Sequence, residues 1–198
     1  MKARHLVTCS LALALLAVPA AHAQAPAKGF RAEFLGQQEH IEKQLLGLAE
    51  ATPADKYGWR PAPGVRSISE VYAHIALSNY FLLGLAGIKA PAGLDKGMEK
   101  NVTEKSKVID ELKKSFAHLR AGVTSLSDAD LDKPVKFFGT DSTVRGVLLT
   151  TANHEHEHLG QSIAYARMNG IVPPWTAEQQ KRMKEEMDKK PAAAPVKK

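Results

Sequence analysis

Apolar residues recur at three- and four-residue spacings along four separate stretches of this chain, and that spacing predicts helices. The first runs from about Phe30 to Glu50, with Phe34, Gln37, Ile41, Leu45 and Leu48 on one inward stripe. The second opens on Ser67-Ile-Ser-Glu70, where a hydroxyl and a carboxylate can satisfy the free N–H groups of a first turn. It continues to about Ala86, with Val71, Ile75, Leu77, Phe81, Leu82 and Leu85 as its apolar positions. The third, capped by Thr103, runs to about Ser125, and Ile109, Leu112, Phe116, Leu119, Val123 and Leu126 form a bundle seam. The fourth starts near Ser142 or Thr143 and ends at Asn169, where Gly170 supplies a C-terminal cap and Pro173-Pro174 forbids continuation. Thr176 caps a last, mostly charged helix to about Lys189.

The segments between them read as connections. Thr52 to Arg66 is full of breakers (Pro53, Gly58, Pro61, Pro63, Gly64), with Trp59 predicted to anchor it on the bundle. Gly87 to Asn101 reads as a loop, and Asp128 to Phe138 as irregular with one helical turn at Asp128 to Leu131. No segment alternates cleanly enough to predict a strand. The expected class is all-α: a four-helix bundle over residues 30–175 and a short extra helix over 176–190.

The two ends change the picture. Met1 to Ala23 has a positive start (Lys2, Arg4), an apolar run from Leu11 to Val18, and a small-x-small site at Ala21-His22-Ala23, the pattern of a cleaved secretory leader. The mature chain is then expected to begin at Gln24, with residues 24–29 a linker, no stable membrane anchor, and a periplasmic or secreted location. Residues 191–198 have no apolar periodicity and are expected to be disordered. Cys9, the only cysteine, leaves with the leader, which excludes disulfides, covalently attached haem and cysteine nucleophilic catalysis. Losing Lys2 and Arg4 takes the formal charge from +6 to about +4. Lys189, Lys190, Lys197 and Lys198 supply that excess, so the folded part is near neutral and no nucleic-acid partner is expected.

Candidate chemistry concentrates in Thr150 to Tyr165, which carries His154, His156 and His158. At about 100° per residue His158 lies about 40° from His154, whereas His156 lies about 200° away, on the wet side with Asn153. Val147, Thr151 and Tyr165 fall on the His154 side, so His154 and His158 continue an inward stripe. Two buried imidazoles one turn apart are costly without partners, and a shared metal ion satisfies both. A third ligand must come from elsewhere. His74 is the candidate, although a histidine on an apolar helix face is also readily a satisfied core residue. The same residues spell His-Glu-x-x-His, which makes Glu155, about 100° from His154, a candidate general base of the zinc-protease kind. Against that stand the absence of the motif's further ligands at the required positions and the lack of cleft-forming strands.

The stretch from His154 to Gln161, running into Ile163 to Trp175, resembles the DinB/YfiT-like superfamily, as does Trp59-Arg-Pro-Ala-Pro-Gly64 followed by Ser67 to His74. The likeness spans nearly all of Phe30 to Trp175 with matching motif order and spacing. It implies a four-helix bundle whose metal ligands are His74, His154 and His158, with no ligand role for His156. Gln161 and Tyr165, on the ligand face, are candidates to orient the histidines or a substrate. The expected cofactor is one divalent ion; three histidines suit zinc, nickel, iron or copper. Some relatives act with low-molecular-weight thiols, from which export would separate this chain. The expected function is that of an exported metal-dependent hydrolase or transferase on a small-molecule substrate. The alternatives are a non-catalytic metal- or ligand-binding stress protein and, behind it, a zinc protease. The resemblance leaves a homodimer open, and no residue pattern decides it.

Overall fold

A computed structural model describes residues 28–189; the expected leader at 1–23, most of the expected linker and the expected tail at 191–198 lie outside these residues. The described residues form helices α1 (Gly29–Ala51), α2 (Ile68–Leu85), α3 (Met98–Asn101), α4 (Lys105–Ser125), α5 (Val144–Met168) and α6 (Pro174–Lys189), with strands β1 (Pro134–Phe137) and β2 (Thr140–Thr143) between α4 and α5. Helices α1, α2, α4 and α5 make the bundle. α2 packs on α4 and α5, and α1 packs on the same two, so α1 and α2 occupy opposite corners. No helix among the described residues is long and apolar enough to cross a membrane.

The sequence periodicity accounts for the core. Leu112, Phe116, Leu119 and Val123 of α4 are all fully buried, each contributing roughly 1.5–3 kcal/mol by leaving water. The core falls into two apolar clusters. One centres on Ile41, Leu45, Tyr72, Ile75, Leu112 and Phe116; the other on Phe34, Leu82, Leu83, Leu119, Val147 and Leu148. α2 starts as read: Ser67 Oγ accepts from the Glu70 N–H at 3.3 Å and Glu70 Oε2 accepts from the Ser67 N–H at 2.7 Å. Thr143 caps α5, its side chain accepting from the Gly146 N–H. Short 3-10 turns stand at Ala54–Lys56 and Ala129–Asp132.

Several local expectations are corrected. The inward residue of α1 is Gln38, fully buried, not the exposed Gln37. The run 34, 38, 41, 45, 48 alternates steps of four and three, so the seam passes through a polar side chain. α4 begins at Lys105 with no side-chain cap, so Thr103 does not cap it. α6 begins at Pro174, ahead of Thr176, because proline's fixed φ suits a first helical position. Phe81, placed among the apolar face of α2, is half exposed. A β-hairpin occupies 134–143, pairing Phe137 with Thr140 and Pro134 with Thr143. Its second strand, Thr-Asp-Ser-Thr, has no apolar alternation for a sequence reading to find. His118, expected to be solvated, is half-buried with a covered Nε2 and lines one cavity with Tyr80 and residues 91–95. Its ring stands 5.2 Å from that of Tyr80, and burial lowers its pKa.

Candidate metal centre

Adjacent packing of α2 and α5 brings His74 against the His154/His158 pair. The three rings meet at centroid distances of 5.1 Å (His74–His154), 4.8 Å (His74–His158) and 4.5 Å (His154–His158). One ring nitrogen from each lies within 4.8 Å of the other two, and His74 Nε2 is 3.1 Å from His154 Nε2. Ligands about 2.0–2.1 Å from a tetrahedral ion stand roughly 3.3 Å apart, so the cluster needs only small adjustments to close on one. The group can hold a metal ion.

The outward nitrogens are partly committed. His74 Nδ1 stands 3.0 Å from Glu99 Oε2, and His158 Nδ1 stands 2.7 Å from Gln161 Oε1. Both partners are acceptors, so each Nδ1 carries the proton and each Nε2 keeps its lone pair for the centre. Gln161 is itself oriented: its Nε2 donates to the Tyr165 hydroxyl at 3.0 Å. Tyr165 meets Trp59 edge-on at 5.3 Å, so the Pro- and Gly-rich loop braces the chain of contacts that ends on His158. His154 Nδ1 is buried without a partner among the described residues. His156 is exposed, its Nδ1 3.0 Å from its own helix at the Ala152 carbonyl.

The electrostatics favour the neutral form of His74 and His154, as ligation requires. Burial, followed by Arg66 and His158, lowers the pKa of His74 against the opposing pull of Glu99. Burial, then the neighbouring His158 and His74, brings His154 down to about 4. Glu99 is clamped by Arg66 through Nε to Oε1 at 2.8 Å and Nη2 to Oε2 at 3.3 Å. Burial pushes the Glu99 carboxyl up, but the Arg66 and His74 contacts outweigh it and its pKa is lowered.

Glu155 sits elsewhere. It is fully buried in the bundle and is not part of the histidine group. With the Asn79 amide turned so that its nitrogen faces Glu155, Oε1 accepts from it at 3.0 Å, and burial raises the carboxyl's pKa to about 8 against the opposing pull of the Gln38 and Asn79 amides. Sequence reasoning missed Glu99 and Arg66. Glu99 lies on the one-turn helix α3, inside a stretch of glycines and prolines that reads as loop. The one signal available was chemical: a ligating histidine calls for a carboxylate or carbonyl on its other nitrogen, and few acids lie in that connection.

A helical bundle with a three-histidine cluster between two adjacent helices is the class that fold and site define. The sequence pattern of the DinB superfamily matches residues 37–162, and the chain belongs to that superfamily. Solved structures share the fold. A DinB-like protein from Bacillus cereus ATCC 10987 is 22% identical with a TM-score of 0.64, over 71% of this chain and 93% of that one. A DinB-like protein from Bacillus subtilis is 21% identical with a TM-score of 0.58, over 71% and 93%. A conserved protein from Enterococcus faecalis is 13% identical with a TM-score of 0.57, over 71% and 97%. No curated protein matches the chain.

Proposed function

We propose that this protein is an exported member of the superfamily that binds one divalent ion, zinc, nickel or iron, through Nε2 of His74, His154 and His158. It would use the remaining coordination position for hydrolysis or group transfer on a small molecule. The observation that carries the reading is the convergence of three imidazoles, two of them with the outward nitrogen already engaged by Glu99 and Gln161. Three neutral ligands leave the ion its full charge, and an ion held so supplies Lewis acidity toward water or an anionic substrate group. The chain's own part is to fix the rings, through Glu99 on one side and Gln161 with Tyr165 on the other. No nucleic-acid partner enters the proposal, and a homodimer stays open.

The test is metal analysis of protein purified from its own compartment. The wild type and His156→Ala should carry about one ion per chain, and alanine at His74, His154 or His158 should remove most of it. Full occupancy in His74→Ala would overturn the three-histidine set. Intact mass of the exported protein checks the leader: the chain should begin at or near Gln24, and a soluble chain retaining Met1 would refute export.

A binding protein without turnover is the second reading, favoured by one observation: Glu155, the carboxylate expected as base, is sealed in the core. Metal-dependent turnover of simple esters or thiol conjugates would decide against it. The same burial sets peptide cleavage aside, and robust metal-dependent cleavage of casein would restore it.

A further inference from the structure

Each bundle helix places a fully buried polar side chain at one level of the interior, and the four meet. Gln38 of α1, Asn79 of α2, Ser115 of α4 and Glu155 of α5 are all 0% exposed. Along every helix they fall where the two apolar clusters meet: Gln38 between Phe34 and Ile41, Asn79 between Ile75 and Leu82, Ser115 between Leu112 and Leu119, Glu155 between Leu148 and Leu159. The core is therefore crossed by a polar layer.

One orientation of the Asn79 amide pairs it with Glu155. Its nitrogen donates to Glu155 Oε1 at 3.0 Å and to the Ile75 carbonyl at 3.2 Å, while its oxygen faces Ser115 Oγ at 3.3 Å. Ser115 is tied to its own helix by donating to the Leu112 carbonyl at 2.8 Å. The Gln38 amide stands beside the Glu155 carboxyl without a well-aligned hydrogen bond, and Glu155 Oε2 is left over. A buried polar group that loses its partner costs roughly 1–3 kcal/mol, more if charged, so sliding or rotating one helix against another is resisted here as it would not be in a uniform apolar core. A single polar residue in a bundle seam fixes register in this way.

The link that matters joins α2 to α5, the two helices that carry the histidines. Asn79 lies five positions after His74, and Glu155 is the neighbour of His154. A rotation of α5 that broke the Asn79–Glu155 contact would also turn His154 and His158 away from His74. We infer that Glu155, through Asn79, is a positioning residue that sets the register of α5 against α2 and so assembles the three-histidine site. The glutamate of the His-Glu-x-x-His stretch then works from inside the bundle and never touches a reacting group.

This inference rests on the metal-binding reading above, and zinc itself serves as the probe. Zinc affinity, by competition with a chromophoric chelator, and helical content, by circular dichroism, are measured for the wild type, Glu155→Gln, Glu155→Leu and Asn79→Leu. Glutamine can still accept from Asn79, so Glu155→Gln should stay within about threefold of the wild-type dissociation constant. Glu155→Leu and Asn79→Leu should keep their helical signal yet bind zinc at least about tenfold more weakly, the scale seen when orienting partners of a metal site are lost. Because leucine at either position leaves one partner bare, the double variant Asn79→Leu/Glu155→Leu is the control for folding. It should recover stability and still bind weakly, since the register is no longer specified. Double-variant affinity equal to the wild type would overturn the positioning role, as would wild-type affinity in both single variants. A wild type that binds no zinc or other divalent ion would instead sink the metal reading itself.

Discussion

Glu99 Oε2 accepts a hydrogen bond from His74 Nδ1 at 3.0 Å, between residues 25 positions apart in sequence. The contact turns a one-turn helix in a long connection into part of the candidate centre. It fixes the ring's tautomer, and Arg66 in turn fixes the carboxylate.

Removing that contact should weaken metal binding. Glu99→Ala is expected to raise the dissociation constant about 10–100-fold, the usual cost of losing a ligand's outer partner. Glu99→Gln, which keeps an acceptor oxygen, should fall in between. Chelator competition measures both, and an unchanged constant in Glu99→Ala would show that His74 is oriented by packing alone.

A second expectation concerns acid. Glu70 is buried, which by itself would push its carboxyl up, yet hydrogen bonds from Lys100, the Ser67 N–H and Arg60 bring it down to about 2 from the usual 4.5. A carboxyl whose folded pKa is depressed adds stability that is complete above about 4.5 and is lost as pH falls toward 2. Glu70→Gln should therefore cost about 1–2 kcal/mol at pH 7, combining the cap and the charge. The gap to the wild type should shrink between pH 4.5 and 2. Denaturant melts at pH 7 and pH 3 decide it; a gap of equal size at both would mean that the charge contributes nothing.

The hairpin tip offers a gain instead of a loss. Phe138 (φ 48°) and Gly139 (φ 86°) form its two-residue loop, and positive φ at both positions is the geometry for which Asn-Gly is preferred. Phe138 is 73% exposed, so little burial is forfeited by replacing it. Phe138→Asn is expected to stabilise the protein by about 0.5–1 kcal/mol, visible as a rise of a few degrees in Tm. A fall in Tm would show that the Phe81–Phe138 contact, at 5.9 Å between centroids, outweighs the backbone strain.

Chelation separates a structural ion from a functional one. The apolar clusters join all four bundle helices, while ligands come from two, so the metal-free protein should keep its helical circular dichroism. An ion present at about a hundredfold over its dissociation constant should add about 2.7 kcal/mol, or roughly 5–10 °C in Tm. Collapse of the helical signal on chelation would make the ion part of the fold.

The parts of this architecture that could be read from sequence are those set by short-range periodicity. The seam of α4, the capping box at Ser67 and Glu70, the Thr143 cap and the one-turn spacing of His154 and His158 all follow from residues within a few positions of each other. What escaped depends on distant parts of the chain. Glu99 gains meaning only when α3 lies against α2, and His118 shares a cavity with residues 91–95, more than twenty positions away. Polar strands such as Thr140–Thr143 pair through their backbone and leave no apolar mark. Gln38 is not legible as an inward residue from its own helix, because a polar residue in the seam looks like an interruption until three more stand at its level.

The hairpin tip at Phe138–Gly139 lies between the part of the chain that carries His74 and the part that carries His154 and His158. Severed there, the chain would yield two pieces, each holding an incomplete ligand set, with the packing of α5 on α1 and α2 as the boundary between them. A shared ion would then act as a removable clasp. The topology thus lends itself to a split reporter, in which two fragments held apart by dilution reunite when zinc is supplied and part again when it is withdrawn.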